Sequence, residues 1–116
     1  IFMENWDKGL IGFLEEFKIL LLKRSNKVIG LYPVSLGGAS GTVVDAKIIF
    51  VAALLSHASA IILCHNHPGG SLKPSEPDLR LTKQLKEAGR LLHIEILDHL
   101  IISSEGYYSF GDEGLL

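Results

Sequence analysis

Ala60-Ile61-Ile62-Leu63-Cys64-His65-Asn66-His67-Pro68-Gly69-Gly70-Ser71-Leu72-Lys73-Pro74-Ser75-Glu76-Pro77-Asp78 joins a strand to a helix and carries the densest chemistry in the chain. Ala60 to Cys64 is apolar throughout, as in a central strand covered on both faces. Pro68, Gly69 and Gly70 end it and turn the chain. Ser75 then sits as a helix N-cap, with Asp78 in the first turn. Residues i and i+2 of an extended chain point the same way, so His65 and His67 aim at one point. Two imidazoles and a carboxylate leave a fourth tetrahedral position open, as in catalytic zinc sites. That donor set suits zinc better than calcium or magnesium. The plainer alternative is a pair of solvated loop histidines and an acid favoured by the helix dipole. The turn residues behind the histidines, and Ser-x-x-Asp after them, favour the metal.

Outward from this stretch, Glu15 to Lys23 and Val28 to Leu36 read as two strands of a hairpin, turned at Arg24-Ser25-Asn26-Lys27. Pro33 inside the second run marks an edge or a bulge. Gly37 to Gly41 is a loop. Asp45 to His57 is a helix with Asp45 at its start and an apolar stripe of Ile48, Ile49, Ala52, Ala53 and Leu55. His57 falls in the last turn and is not a ligand candidate. Pro77 to Leu92 is the second helix, with Leu79, Leu81, Thr82, Leu85, Ala88 and Leu92 inward and Gly89 as a close-packing point. His93 to Leu97 and Leu100 to Ile102 read as a strand interrupted by Asp98-His99. That polar pair stands either beside the metal or at a structural corner, and the corner is the reading taken. Tyr107 to Phe110 is a last short strand. Ile1 to Gly12 has little pattern. It is assigned as an N-terminal extension or linker remnant, and 13–116 as one domain. Cys64 neighbours His65 and points the other way, so it reads as a small buried hydrophobe and not a third ligand.

Strands and helices in this order make an α/β domain, a mixed sheet with helices on both faces. Strand alternation puts Glu15, Phe17, Ile19 and Leu21 on one side and Glu16, Lys18, Leu20 and Leu22 on the other. A carboxylate on a core-facing side needs a partner or a task. A register error of one residue would exchange Glu15 and Glu16.

His65-Asn66-His67-Pro68, the glycine loop, Pro74-Ser75 and Asp78 resemble the JAMM (MPN+) metalloprotease signature, and within it the bacterial RadC family. Glu15-Glu16-Phe17, Ser40-Gly41-Thr42, Leu97 to Ile102 and Tyr108-Ser109-Phe110 extend the resemblance from about residue 13 to the end. Gly69 departs from the serine common in the family, outside the ligand set. The resemblance implies a curved mixed sheet flanked by helices, of cytidine deaminase-like architecture. It also implies zinc held by His65, His67 and Asp78, with Glu15 as general acid/base and Glu16 as runner-up. Ser75 would donate a hydrogen bond to the oxyanion. The implied activity is a zinc-dependent hydrolysis of a peptide or isopeptide bond, with a peptide or protein substrate. RadC proteins carry a DNA-repair label that these residues do not themselves support. The family alternative is a non-catalytic interaction module, or a DNA-repair-associated factor using the fold as a scaffold.

Composition narrows the rest. At 116 residues with 47% apolar and 21% charged side chains, one globular domain is expected. A net charge of −2 disfavours strong duplex binding. DNA would reach the domain only through an N-terminal helical region of the kind RadC proteins carry. The start at Ile1 is that expected of a piece of a longer protein. No apolar run approaches the roughly 18 residues of a membrane span. A single cysteine excludes an internal disulfide and agrees with a cytoplasmic location. It also excludes a zinc deaminase, which needs Pro-Cys-x-x-Cys. Nucleases called HNH spread those residues over a longer segment, so the adjacent His-Asn-His is not theirs.

Overall fold

The computed structural model describes residues 2–36 and 44–116. The glycine loop at 37–41 and Ser40-Gly41-Thr42 lie outside them. A 3₁₀ turn at Met3–Asn5 precedes strands β1 (Glu16–Leu22) and β2 (Val28–Leu36), helix α1 (Ala46–Leu55), β3 (Ala60–Asn66), α2 (Glu76–Leu91), β4 (Glu95–Ser103) and β5 (Gly106–Ser109). Among the described residues these strands form one sheet in the order β2-β1-β3-β4-β5. β3 and β4 are parallel and the other neighbours antiparallel, so the sheet is mixed. β2 is an edge strand. Pro33 lies on it beside a register shift opposite Phe17 and Lys18, where a missing N–H does least harm.

The α/β class with a mixed sheet holds, but the placement of the helices is corrected. β2 and β3 are both antiparallel to β1 and hence parallel to each other. The crossovers β2-α1-β3 and β3-α2-β4 step the same way across the sheet. Right-handed crossovers in one direction put both helices on one face. Accordingly Ile49, Phe50 and Ala53 of α1 and Leu85 of α2 share a core with Phe17, Ile19, Leu21, Ile61 and Leu63. The opposite face is covered by the N-terminal segment. Phe2, Trp6 and Ile11 pack there with Leu20, Leu22, Ala60, Cys64 and Ile102. α1 also turns a different stripe inward than expected, leaving Ile48 and Leu55 exposed.

Two strands differ from their expected bounds. β3 continues past Cys64, so His65 and Asn66 are inside the ladder, paired with Phe17 and Ile102. β4 is not interrupted at Asp98-His99. The backbone ladder runs through that pair, and the irregularity is a register shift one step earlier, after Ile96. The polar side chains are satisfied locally. Asp98 accepts from the backbone N–H of His99 at 2.7 Å and of Gly111 at 2.9 Å, and from the Ser109 hydroxyl.

Each helix ends in a left-handed histidine, His57 and His93, both at φ 57°. Ala58 N donates to Ala53 O at 2.9 Å, and Ile94 N donates to Gly89 O at 2.8 Å, which closes the last carbonyls. His57 is therefore an exposed C-terminal cap. At Gly89 a Cβ would lie 2.3 Å from Ile94 O, so the turn into β4 requires glycine there.

Candidate metal centre

β3 delivers His65 and, just past its end, His67 to the sheet face that carries the helices. α2 delivers Asp78. Ser75 caps α2 with a reciprocal pair of bonds: Asp78 N donates to Ser75 Oγ at 3.1 Å, and Ser75 N donates to Asp78 Oδ2 at 2.9 Å. The cap thus fixes the carboxylate as well as the helix. His65 Nε2 lies 3.0 Å from His67 Nε2 and 3.3 Å from Asp78 Oδ1. His67 Nε2 lies 2.9 Å from Asp78 Oδ2. The three residues singled out by spacing are together.

Glu15 stands just before β1, on the same side. Its carboxylate and the ring nitrogens of His65 and His67 offer ligand atoms all within 4.8 Å of one another, a group that could hold a metal ion. Glu16 is turned away and pairs with Lys18 at 3.2 Å. The Lys18 ammonium sits over the Trp6 ring, 4.7 Å from its centre, on the N-terminal side.

The outer partners define what the rings present. His67 Nδ1 is 3.0 Å from the Ser71 carbonyl, which can only accept, so that nitrogen carries hydrogen. In the neutral ring Nε2 is then a bare lone pair. His65 Nδ1 is 2.8 Å from His99 Nε2, and His99 Nδ1 is 2.6 Å from Thr82 Oγ1. Phe17 stacks on His65 at 9° and Phe110 on His99 at 11°, which holds both ring planes. His99 is fully buried and stands against His65, so the structural-corner reading is corrected for it and holds only for Asp98.

The electrostatics follow. The hydrogen bond to Asp78 raises the pKa of His67, against an opposing effect of burial. Burial pushes the Asp78 carboxyl up, but the His65 and His67 rings beside it outweigh this and hold it below its usual range. Burial, and then the nearness of His65, push His99 well below the usual imidazole value. Burial raises the Cys64 thiol, which faces the other side of β3, so it is no thiolate ligand.

Asn66, between the two histidines, was not singled out by spacing. It is fully buried on the opposite side of β3. Its Nδ2 donates to Ile11 O at 2.7 Å and Leu14 O at 2.8 Å. Its Oδ1 accepts from Trp6 Nε1 at 3.1 Å and Glu16 N at 2.8 Å. All four bonding capacities of the amide are used, on the two neighbours of Glu15 and on the segment leading to them.

Fold and site together define an α/β domain of JAB/MPN-like architecture with a histidine and carboxylate group able to hold a metal ion. A family model described as RadC-like JAB domain matches residues 3–115, and the chain belongs to that family. A UPF0758 protein of Flavobacterium johnsoniae is 52% identical over 108 residues, 91% of this chain and 47% of that protein. UPF0758 proteins of Porphyromonas gingivalis and Alkaliphilus metalliredigens are 48% and 44% identical, each over 88% of this chain and 45% and 44% of their own length. The chain therefore spans less than half of these relatives. No helix among the described residues is long and apolar enough to cross a membrane.

Proposed function

We propose that this domain is a zinc-dependent hydrolase of peptide or isopeptide bonds, acting on a peptide or protein substrate in the cytoplasm. The observation that carries the reading is the meeting of His65 Nε2, His67 Nε2 and the Asp78 carboxylate within 3.3 Å, with the Glu15 carboxylate in reach of both rings. The donor chemistry fits a cation. Neutral His65 and His67 would direct two nitrogen lone pairs at a carboxylate already bonded to Ser75 N. Such a cluster of acceptors is stable only with a positive charge at its centre, and two nitrogens with an oxygen suit zinc.

His65, His67 and Asp78 would hold the ion. When bound, zinc supplies a Lewis acid and a more acidic water. The remaining work falls to side chains of this chain. Glu15 accepts the proton of the attacking water and returns it to the leaving nitrogen. The Ser75 hydroxyl accepts from Asp78 N, and its own proton is the donor for the oxyanion. The net charge of −2 supports leaving any DNA contact to the rest of a longer protein.

Metal content by plasma mass spectrometry tests this on the purified domain and on Asp78→Ala. About one zinc per chain is expected in the first, and loss of it in the second. Failure of the domain to take up zinc from excess metal would end the hydrolase reading and leave an interaction module.

A further inference from the structure

The neighbours of His65 form a chain that returns to the metal centre. Thr82 Oγ1 lies 2.8 Å from the main-chain oxygen of Asp78, one helical turn earlier. It also lies 2.6 Å from His99 Nδ1. His99 Nε2 in turn lies 2.8 Å from His65 Nδ1. His65, Thr82 and His99 are all buried, at most 2% exposed.

We propose that Thr82 and His99 are positioning residues that lock His65 in the Nδ1–H tautomer, the only neutral form whose Nε2 can bind a metal. The proposal rests on the metal-site reading above. The Asp78 carbonyl oxygen has no proton, so Thr82 must donate to it. A hydroxyl has one proton, so Thr82 must then accept from His99 Nδ1–H. A doubly protonated His99 would be a buried cation with no acid in contact, so its Nε2 is bare. That nitrogen accepts, and His65 Nδ1 donates. His65 Nε2 is left with its lone pair facing Asp78 Oδ1 at 3.3 Å. The direction of every bond is therefore fixed by one main-chain oxygen, and that oxygen belongs to the residue whose carboxylate completes the site. Reversing the chain would put hydrogen on His65 Nε2 and would leave Thr82 and the Asp78 carbonyl as two facing acceptors.

Thr82→Val keeps the shape and removes the hydroxyl. His99 Nδ1–H then has no acceptor, the ring is driven to Nε2–H, and His65 is driven to carry its hydrogen on Nε2. Thr82→Ser restores the oxygen. Long-range proton–nitrogen spectra of ¹⁵N-histidine protein, recorded without metal, read the His65 tautomer directly. We expect Nδ1–H in the native protein and in Thr82→Ser, and Nε2–H in Thr82→Val. Zinc affinity, from competition with a chromophoric chelator, should fall in Thr82→Val by on the order of tenfold to a hundredfold. It should recover in Thr82→Ser. An unchanged tautomer in Thr82→Val overturns the proposal, even if affinity falls, because the loss would then be structural. A native protein that takes up no zinc would end the hydrolase reading, while the metal-free spectra would still decide the proposal.

Discussion

The two sides of β3 do opposite things with the same tripeptide. On one side the Nε2 atoms of His65 and His67 meet the Asp78 carboxylate, and the surroundings shift the proton affinity of His67, Asp78 and His99. On the other side Asn66 is fully satisfied by four bonds to the N-terminal segment. Strand alternation alone produces this division. The sides are not independent, because the segment that Asn66 clamps carries Glu15 back to the histidines. A buried amide with every capacity filled is stable and inert, whereas acceptors gathered without protons are costly unless a cation arrives. The groups that share protons are thus gathered on the histidine side.

The sharpest way to break the comparison is on the histidine side. Glu15→Gln should lower hydrolysis by about 10²- to 10⁴-fold, the usual worth of a positioned acid/base, while zinc content is unchanged. Glu16→Gln should leave the rate near native, since it removes only a partly exposed pair with Lys18. Equal losses in the two variants would remove Glu15 from its proposed role. If Glu15→Gln also lost its zinc, Glu15 would be a ligand. On the other side Asn66→Ala strands two carbonyls, the Trp6 indole N–H and the Glu16 N–H. A loss of about 3 kcal/mol in urea unfolding is expected, the cost of the two fully buried groups among them, the Trp6 N–H and the Ile11 carbonyl. A loss of activity with native stability would mean that Asn66 serves the site and not the clamp.

The same tripeptide explains how much could be read from residue order. The meeting of His65, His67 and Asp78, and the N-cap at Ser75, were legible because His-x-His and Ser-x-x-Asp have fixed spacings on a strand and a helix. The side on which Glu15 stands was legible from alternation once Phe17 and Ile19 are core residues. Asn66 was hidden because the apolar run stops at Cys64, whereas the ladder continues to Asn66 through pairing that apolarity does not report. Thr82 passed as part of an apolar stripe, since a buried hydroxyl bonding back one turn looks like any small residue on that face. Its spacing of four from Asp78 was the available signal. His99 was split from its neighbour Asp98 only by tertiary contacts. The helices fell on one face because both crossovers step the same way, and strand order is not written in periodicity. Trp6 and Ile11 pack although their segment has no period, as isolated large side chains under a loop can.

The smallest effect expected is in pH, and it enters through the proton that His67 shares with Asp78. Without metal, His67 donates to Asp78 and its pKa is raised above 6.5 by that bond. This stabilisation is present below the unfolded value and is lost as pH rises through the raised one. Asp78 is lowered from 3.8, so its contribution is present above that value and is lost only in acid, as pH falls through the folded pKa. The share of metal-free stability that His67 supplies should therefore fall between about pH 6 and about pH 8, against the share of the buried neutral His99, which grows as pH rises through the unfolded imidazole value. Zinc must displace the same proton from His67, so its affinity rises over that interval. The rise in melting temperature on adding zinc should therefore grow with pH. Scanning calorimetry at the two pH values, with and without zinc, reads the increment. An increment independent of pH would mean that His67 holds no proton for the metal to displace, and the ligand role assigned to its Nε2 would fail with it.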